Sequence, residues 1–198
     1  MNDKSQDARQ RILRSAIVTF ARKGYAGTSV QDILRAVKLS KPTLYYYFEN
    51  KAGLFRAILD FAFVESARLS KEAADGKKTS EDKLVAIATA FFGFAEANKD
   101  LMRLVFATVF AAPEEIPSGC SCPTQRRCHR DFILEVVRAG QKSGEIDPRY
   151  DAHDLTHGLF GAISHHVRTH LLMPEGKLDQ RRAQKLVALF LNGARKKK

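Results

Sequence analysis

Residues 28–48, TSVQDILRAVKLSKPTLYYYF, decide the fold. Val30, Ile33, Leu34 and Val37 recur at the three- and four-residue spacing of one helix face. Thr28 and Ser29 stand where an N-cap belongs, and Asp32, three residues after Ser29, forms a capping box with Asp in place of the usual Glu. Lys38-Leu39-Ser40 is a tight turn. Ser40 caps a second helix, Lys41 to Phe48, and Pro42 falls in its first turn, where no backbone N–H is missed. This helix buries Leu44 and Phe48, four apart, and turns Lys41, Thr43, Tyr45, Tyr46 and Tyr47 outward. Three consecutive tyrosines span about 200° at 3.6 residues per turn, so they cannot all face one core. Tyrosine exposed beside lysine favours a binding surface. Two short helices joined by a three- to four-residue turn are the outline of a helix-turn-helix.

The helical pattern continues in both directions. Upstream, Ile12, Leu13, Ala16, Ile17 and Phe20 form one face of a first helix that Gly24 ends. Downstream, Asn50 caps a long fourth helix with Leu54, Phe55, Ile58, Leu59 and Phe63 inward. Ser80 is read as the cap of a helix carrying Leu84, Ile87, Phe91 and Phe92. Another helix contains Leu101, Leu104, Val105, Phe106, Val109 and Phe110. Pro113, Pro117, Gly119 and Pro123 mark a loop. A helix from about residue 124 to 143, a break at 144–148, and helices near 151–172 and 178–195 complete the chain. No period-2 strand pattern or internal repeat appears. The expected class is all-α with about nine helices: a helix-turn-helix domain over residues 1–52 and a larger helical domain over 53–198.

The 198 residues include 33 Lys/Arg and 22 Asp/Glu, a net +11. Residues 1–56 hold 11 of the cations against 4 acids, a net +7, and the rest holds 22 against 18. The longest nearly apolar stretch, Leu84 to Ala95, has 12 residues, whereas a membrane span needs roughly 20. The polar start, residues 1–11, has no apolar core of a secretion signal. These features predict a cytoplasmic protein without membrane association, whose basic N-terminal quarter meets an anionic partner. DNA fits: tyrosine hydroxyls donate to phosphate oxygens, their rings pack on sugars and thymine methyls, and Lys41 and Lys51 can neutralise phosphates. Backbone N–H groups at the helix starts near Ser29 and Lys51 add partial positive charge.

Residues 28–33, 39–48 and Asn50-Lys51, with Phe20-Ala21-Arg22-Lys23-Gly24-Tyr25 before them, closely resemble the DNA-binding domain of TetR-family transcriptional repressors. The resemblance is specific over about residues 8–60 and architectural beyond. It implies a homodimeric, ligand-released repressor of a double-stranded DNA operator, with the C-terminal domain binding effector and partner subunit. Carried over by position, Thr28 contacts a phosphate at the second helix, Lys41, Thr43, Tyr45, Tyr46 and Tyr47 belong to the recognition helix, and Lys51 contacts a phosphate at helix four. Ala52-Gly53 departs from the family, which often has acidic residues there.

For the dimer, the eighth helix offers Leu155, Leu159, Ile163 and Val167 with Gly158, Gly161 and Ala162. The ninth carries Leu186, Val187, Leu189, Phe190 and Leu191, too apolar for one packing face. Leu155, Gly158, Ala162, Val187 and Phe190 are the expected interface. Phenylalanine dominates the aromatics, 13 against 5 Tyr and no Trp. Phe91, Phe106, Phe110 and Phe160, with His157 as polar anchor, are expected to line a pocket for a largely hydrophobic small molecule. An alternative is a thiol- or metal-responsive regulator using Cys120, Cys122 and Cys128, with His129 beside the last. Their spacing matches no standard zinc pattern. His153/His157 and His166/His170 are spaced four apart, a second metal possibility beside the plainer reading of surface or packing histidines. No metal or cofactor is expected. Without a phosphate loop, H-E-x-x-H or nucleophile elbow, an enzyme is the remote alternative.

Overall fold

The computed structural model describes residues 3–117, 123–174 and 176–194. Among them run α1 (Asp3–Lys23), α2 (Val30–Val37), α3 (Lys41–Phe48), α4 (Lys51–Ala74), α5 (Ser80–Ala97), α6 (Lys99–Phe110), a 3-10 turn (Pro113–Glu115), α7 (Pro123–Ser143), α8 (Ala152–Leu172) and α9 (Gln180–Ala194). The described residues contain no strand, as the sequence pattern requires. No helix among them is long and apolar enough to cross a membrane.

The chain forms two compact units, residues 1–62 with 99–122, and residues 63–98 with 123–198. In the first, α2 and α3 pack on α1 and on each other. Ile12, Ala16, Phe20, Ile33, Leu44, Leu54, Phe55 and Ile58 are essentially buried, each large side chain contributing roughly 1.5–3 kcal/mol. Phe20 meets Phe55 edge-on at 5.1 Å, and Tyr25 meets Phe55 at 5.0 Å. α6, which the sequence reading put with the C-terminal region, packs against α1 in this unit.

In the second unit α5 lies against α9 and α7 against α8. Its core includes Leu84, Ile87, Phe91, Phe92, Ile133, Val137, Leu159, Ile163, Val167 and Val187. The α5 cap is Thr79, not Ser80: the Thr79 hydroxyl accepts the Asp82 N–H at 3.0 Å. Ser80 is the first helical residue, and its own N–H donates to the Glu145 carboxylate at 2.6 Å. That contact from just beyond the end of α7 draws Ser80 inward and leaves Thr79 at the boundary. Gly140 makes the approach possible, since a Cβ there would stand 2.6 Å from the Ser80 hydroxyl oxygen and 2.8 Å from Ile146 Cδ1.

Candidate nucleic-acid interface

The helix-turn-helix is built by local chemistry. The Ser29 Oγ accepts the Asp32 N–H at 3.1 Å, and the Asp32 carboxylate accepts the Ser29 N–H at 3.1 Å, so the capping box read from the sequence is formed. The Ser29 backbone and hydroxyl donors, with Lys23 at 3.4 Å, hold the Asp32 carboxyl below its ordinary range. Lys38 adopts a left-handed conformation, φ 51°, and closes α2. Ser40 caps α3 through the Thr43 N–H and also hydrogen-bonds the Thr43 hydroxyl at 2.8 Å. With Leu44 and Phe48 buried, Lys41, Tyr45 and Tyr46 project outward, Tyr46 being 80% exposed. Tyr47 is half-buried and stacks edge-on with Tyr46 at 5.0 Å. Beside them a cleft of about 460 Å³ is lined by Gln31, Leu34, Arg35, Lys38, Leu39, Ser40 and Lys41. Arg35 and Lys38 were not singled out from the sequence, although their charge in a turn-proximal, polar position is the available signal.

Two expected phosphate contacts are placed differently. Thr28 is 2% exposed and donates its hydroxyl to the Gly24 carbonyl at 2.7 Å. Lys51 points into its own unit: its ammonium donates to the carbonyls of Tyr25 at 3.0 Å and Thr28 at 2.9 Å. The connection from α3 to α4 is tight. Glu49 has φ 61°, ψ −49°, and the Asn50 N–H reaches back to the Phe48 carbonyl at 2.6 Å, a γ-turn. Asn50 caps α4 by accepting the Gly53 N–H at 2.8 Å. A Cβ on Gly53 would stand 2.2 Å from the Phe48 oxygen, which accounts for glycine at this departure from the family pattern.

The expected effector residues are not brought together within either unit. Phe91 and Phe160 lie in the second, 6.4 Å apart. Phe106, half-buried, and Phe110, 71% exposed, belong to α6 of the first. His157 is exposed. The histidine that meets the two rings is His129, centroids 5.0 Å from Phe91 and 5.7 Å from Phe160. Its Nε2 shares a hydrogen bond with the buried Ser70 hydroxyl at 3.2 Å. Burial pushes the His129 pKa down to about 4, because the charged imidazolium would lose its hydration. In the sequence His129 stands beside Cys128 of the thiol cluster. Cys120, Cys122 and the Cys128 side chain lie outside the described residues, as do Lys196, Lys197 and Lys198.

The histidine pairs have other partners. His153 hydrogen-bonds Arg138 at 3.2 Å, His166 Nδ1 meets the Ala162 carbonyl at 2.9 Å, and buried His170 faces the Glu96 carboxylate. Among the described residues no three potential metal ligands cluster. Of the expected dimer residues, Gly158 is exposed, Leu155, Ala162 and Phe190 are half-buried, and Val187 is fully buried within its own unit. Val187 belongs to the core of the second unit. Leu172 and Leu189 of the second unit are left about three-quarters exposed.

The family model "Bacterial regulatory proteins, tetR family" matches residues 12–58. The HTH-type transcriptional repressor ComR of Escherichia coli (strain K12) is 39% identical over 159 residues, 76% of this chain and 73% of ComR. The fatty acid degradation regulator FadR from Bacillus halodurans superposes with a TM-score of 0.81 at 17% identity, covering 94% of this chain and 99% of that one. FadR from Bacillus subtilis, solved in complex with stearoyl-CoA, gives 0.78 at 19% identity, with 93% and 98% covered. A helix-turn-helix carrying an exposed basic and aromatic face, in a chain whose relatives are regulators of this kind, defines a DNA-binding transcriptional regulator. The chain belongs to the TetR family.

Proposed function

We propose that this regulator is a repressor that binds its operator as a homodimer and is released by a largely apolar small molecule. The observation that carries the reading is the face of α3, where Lys41, Tyr45 and Tyr46 project while Leu44 and Phe48 anchor the helix from behind. Thr43, Tyr47 and Ser29 flank that face, and Arg35 and Lys38 supply the neighbouring cations. Phosphate contacts set register and the tyrosines and Thr43 read base edges, each good contact contributing roughly 1–3 kcal/mol of discrimination. Function divides as residues 1–52 for DNA and 53–198 for effector and dimer.

For the effector, the support is the apolar surround of Phe91 and Phe160 and the neutral, desolvated His129 with Ser70, which suit an uncharged polar group on an apolar body. The stearoyl-CoA complex of the structural neighbour is an instance of this fold holding a long apolar chain. For the dimer, the support lies on α8. Gly158 and Gly161 are exposed, nothing lies within 4 Å of a Cβ built on Gly161, and each glycine costs up to about 1 kcal/mol relative to alanine in a helix. A close helix from a second copy accounts for glycine where this chain does not require it.

The test is a mobility shift on DNA upstream of the chain's own gene at low salt, with sedimentation of the same sample. A dimer that shifts this DNA, and releases it with apolar ligands, is the expected result. A folded monomer at micromolar concentration overturns the dimer, and a folded dimer that leaves this DNA unshifted at low salt overturns the repressor reading.

A further inference from the structure

Lys51 is the first residue of α4, and its ammonium has three hydrogens to donate. Two go to the carbonyls of Tyr25, at 3.0 Å, and Thr28, at 2.9 Å. The nitrogen also lies 4.2 Å from the centre of the Tyr25 ring, a cation–π distance. That ring is fixed in turn, 6.0 Å from Phe20 and 5.0 Å from Phe55. Tyr25 and Thr28 belong to the loop between α1 and α2, and Thr28 directly precedes Ser29, the cap of α2. The side chain thus ties the start of α4 to the segment from which α2 departs.

The other end of α2 is held in a matching way. Arg11 of α1 donates to the carbonyl of Val37, the last residue of α2, at 2.8 Å, and between the two ends the Ser15 hydroxyl donates to the Ile33 carbonyl at 2.8 Å. A cation at the carbonyl end of a helix is favoured by the helix dipole, whereas one near the amino end is not. Lys51 therefore sits where it does because of the loop carbonyls and the tyrosine ring, against the field of α2.

We propose that Lys51 is a positioning residue for operator binding: its ammonium fixes the loop before α2, and so the angle at which α2 and α3 meet DNA, instead of serving as a phosphate ligand. The proposal rests on the DNA-facing role given above to α3. Arginine cannot substitute, because a planar guanidinium on a longer stem does not fit a seat for a compact ammonium.

The experiment measures Kd against potassium chloride concentration for a duplex selected from a random pool by the wild-type protein, and for an unrelated duplex. Wild type, Lys51→Met, Lys51→Arg and the reference Arg35→Gln are compared, with the active fraction of each taken from stoichiometric titration. Positioning predicts that Lys51→Met and Lys51→Arg each weaken the selected duplex roughly tenfold, the scale of losing charge-assisted bonds. It also predicts an unchanged salt slope, unchanged binding of the unrelated duplex, and faster hydrogen exchange at the Thr28 and Ser29 amides. A phosphate ligand predicts that Lys51→Met lowers the slope by about 0.9 per contact while Lys51→Arg is tolerated. That pattern overturns the proposal. So does a fall in active fraction with Kd unchanged, which is the mark of a merely structural lysine. If Lys51→Met does not fold, Lys51→Arg alone separates the two roles.

Discussion

His129 makes the stability of this protein depend on pH in a way that can be assigned to one side chain. Its pKa is pushed down to about 4 by burial, from an ordinary 6.5. The unfolded chain therefore binds more protons than the folded one between about pH 4 and 6.5. Stability contributed by the neutral ring is fully present above pH 6.5 and is lost progressively as pH falls toward 4. A shift of this size corresponds to about 3 kcal/mol when complete, of which about 2 kcal/mol is lost between pH 7.5 and 5.0. The assay is urea unfolding at those two pH values for wild type and His129→Gln, at one fixed protein concentration. The remaining five of the six histidines, and every carboxylate, are common to both proteins. The cost of the substitution itself cancels in the pH difference. Wild type should lose about 2 kcal/mol more than the variant on acidification. Equal losses would refute the reasoning, since a ring among Phe91, Phe160 and Ser70 could then be protonated in place without penalty.

Other perturbations follow from the same geometry. Ser29→Ala should lower the stability of the N-terminal unit by about 1 kcal/mol in thermal melts, and a carbon-detected titration should show the Asp32 pKa rising toward its ordinary value. Gly53→Ala should destabilise by roughly 1–3 kcal/mol through overpacking against the Phe48 carbonyl, reversing the gain that alanine usually brings to a helix; a rise in melting temperature would count against the tight α3–α4 turn. Arg35→Gln should reduce the dependence of log Kd on log salt by about 0.9 per contact, measured by fluorescence anisotropy, and an unchanged slope would place that guanidinium off the DNA.

What could be read from the sequence was what short-range physics decides. The caps Ser29, Ser40 and Asn50, the apolar spacing of Ile33, Leu34, Leu44 and Phe48, and the stop at Gly24 all act within a few residues, so the helix-turn-helix was legible. The structure adds most where a distant partner chooses between locally equal options. Thr79 and Ser80 can both cap a helix, and the choice follows from Glu145, 65 residues away. His129 and His157 are both one histidine among phenylalanines, and Ser70, 59 residues from His129, belongs to the buried one. Val187 is one more apolar residue on a crowded helix, and it is buried where α9 packs within the second unit, against α5 and α8.

The same distinction changes what the basic N-terminal quarter means. A net +7 over residues 1–56 suggests a broad phosphate-binding field. Yet Lys51 and Arg11 donate to backbone carbonyls, Lys23 pairs with Asp32 at 3.4 Å, and Arg9 lies 5.3 Å from the Phe48 ring centre. These contacts fasten the loops and helices of the unit to one another, Lys51 from a half-buried position and Arg9, Arg11 and Lys23 while still exposed. Arg35, Lys38 and Lys41 line the cleft on the outer side of the turn and remain exposed. The salt dependence of DNA binding should therefore track Arg35, Lys38 and Lys41, while removing the half-buried Lys51 should alter affinity through the pose of α2 and α3. Counting positive residues measures neither effect; the partner of each cation decides which one it has.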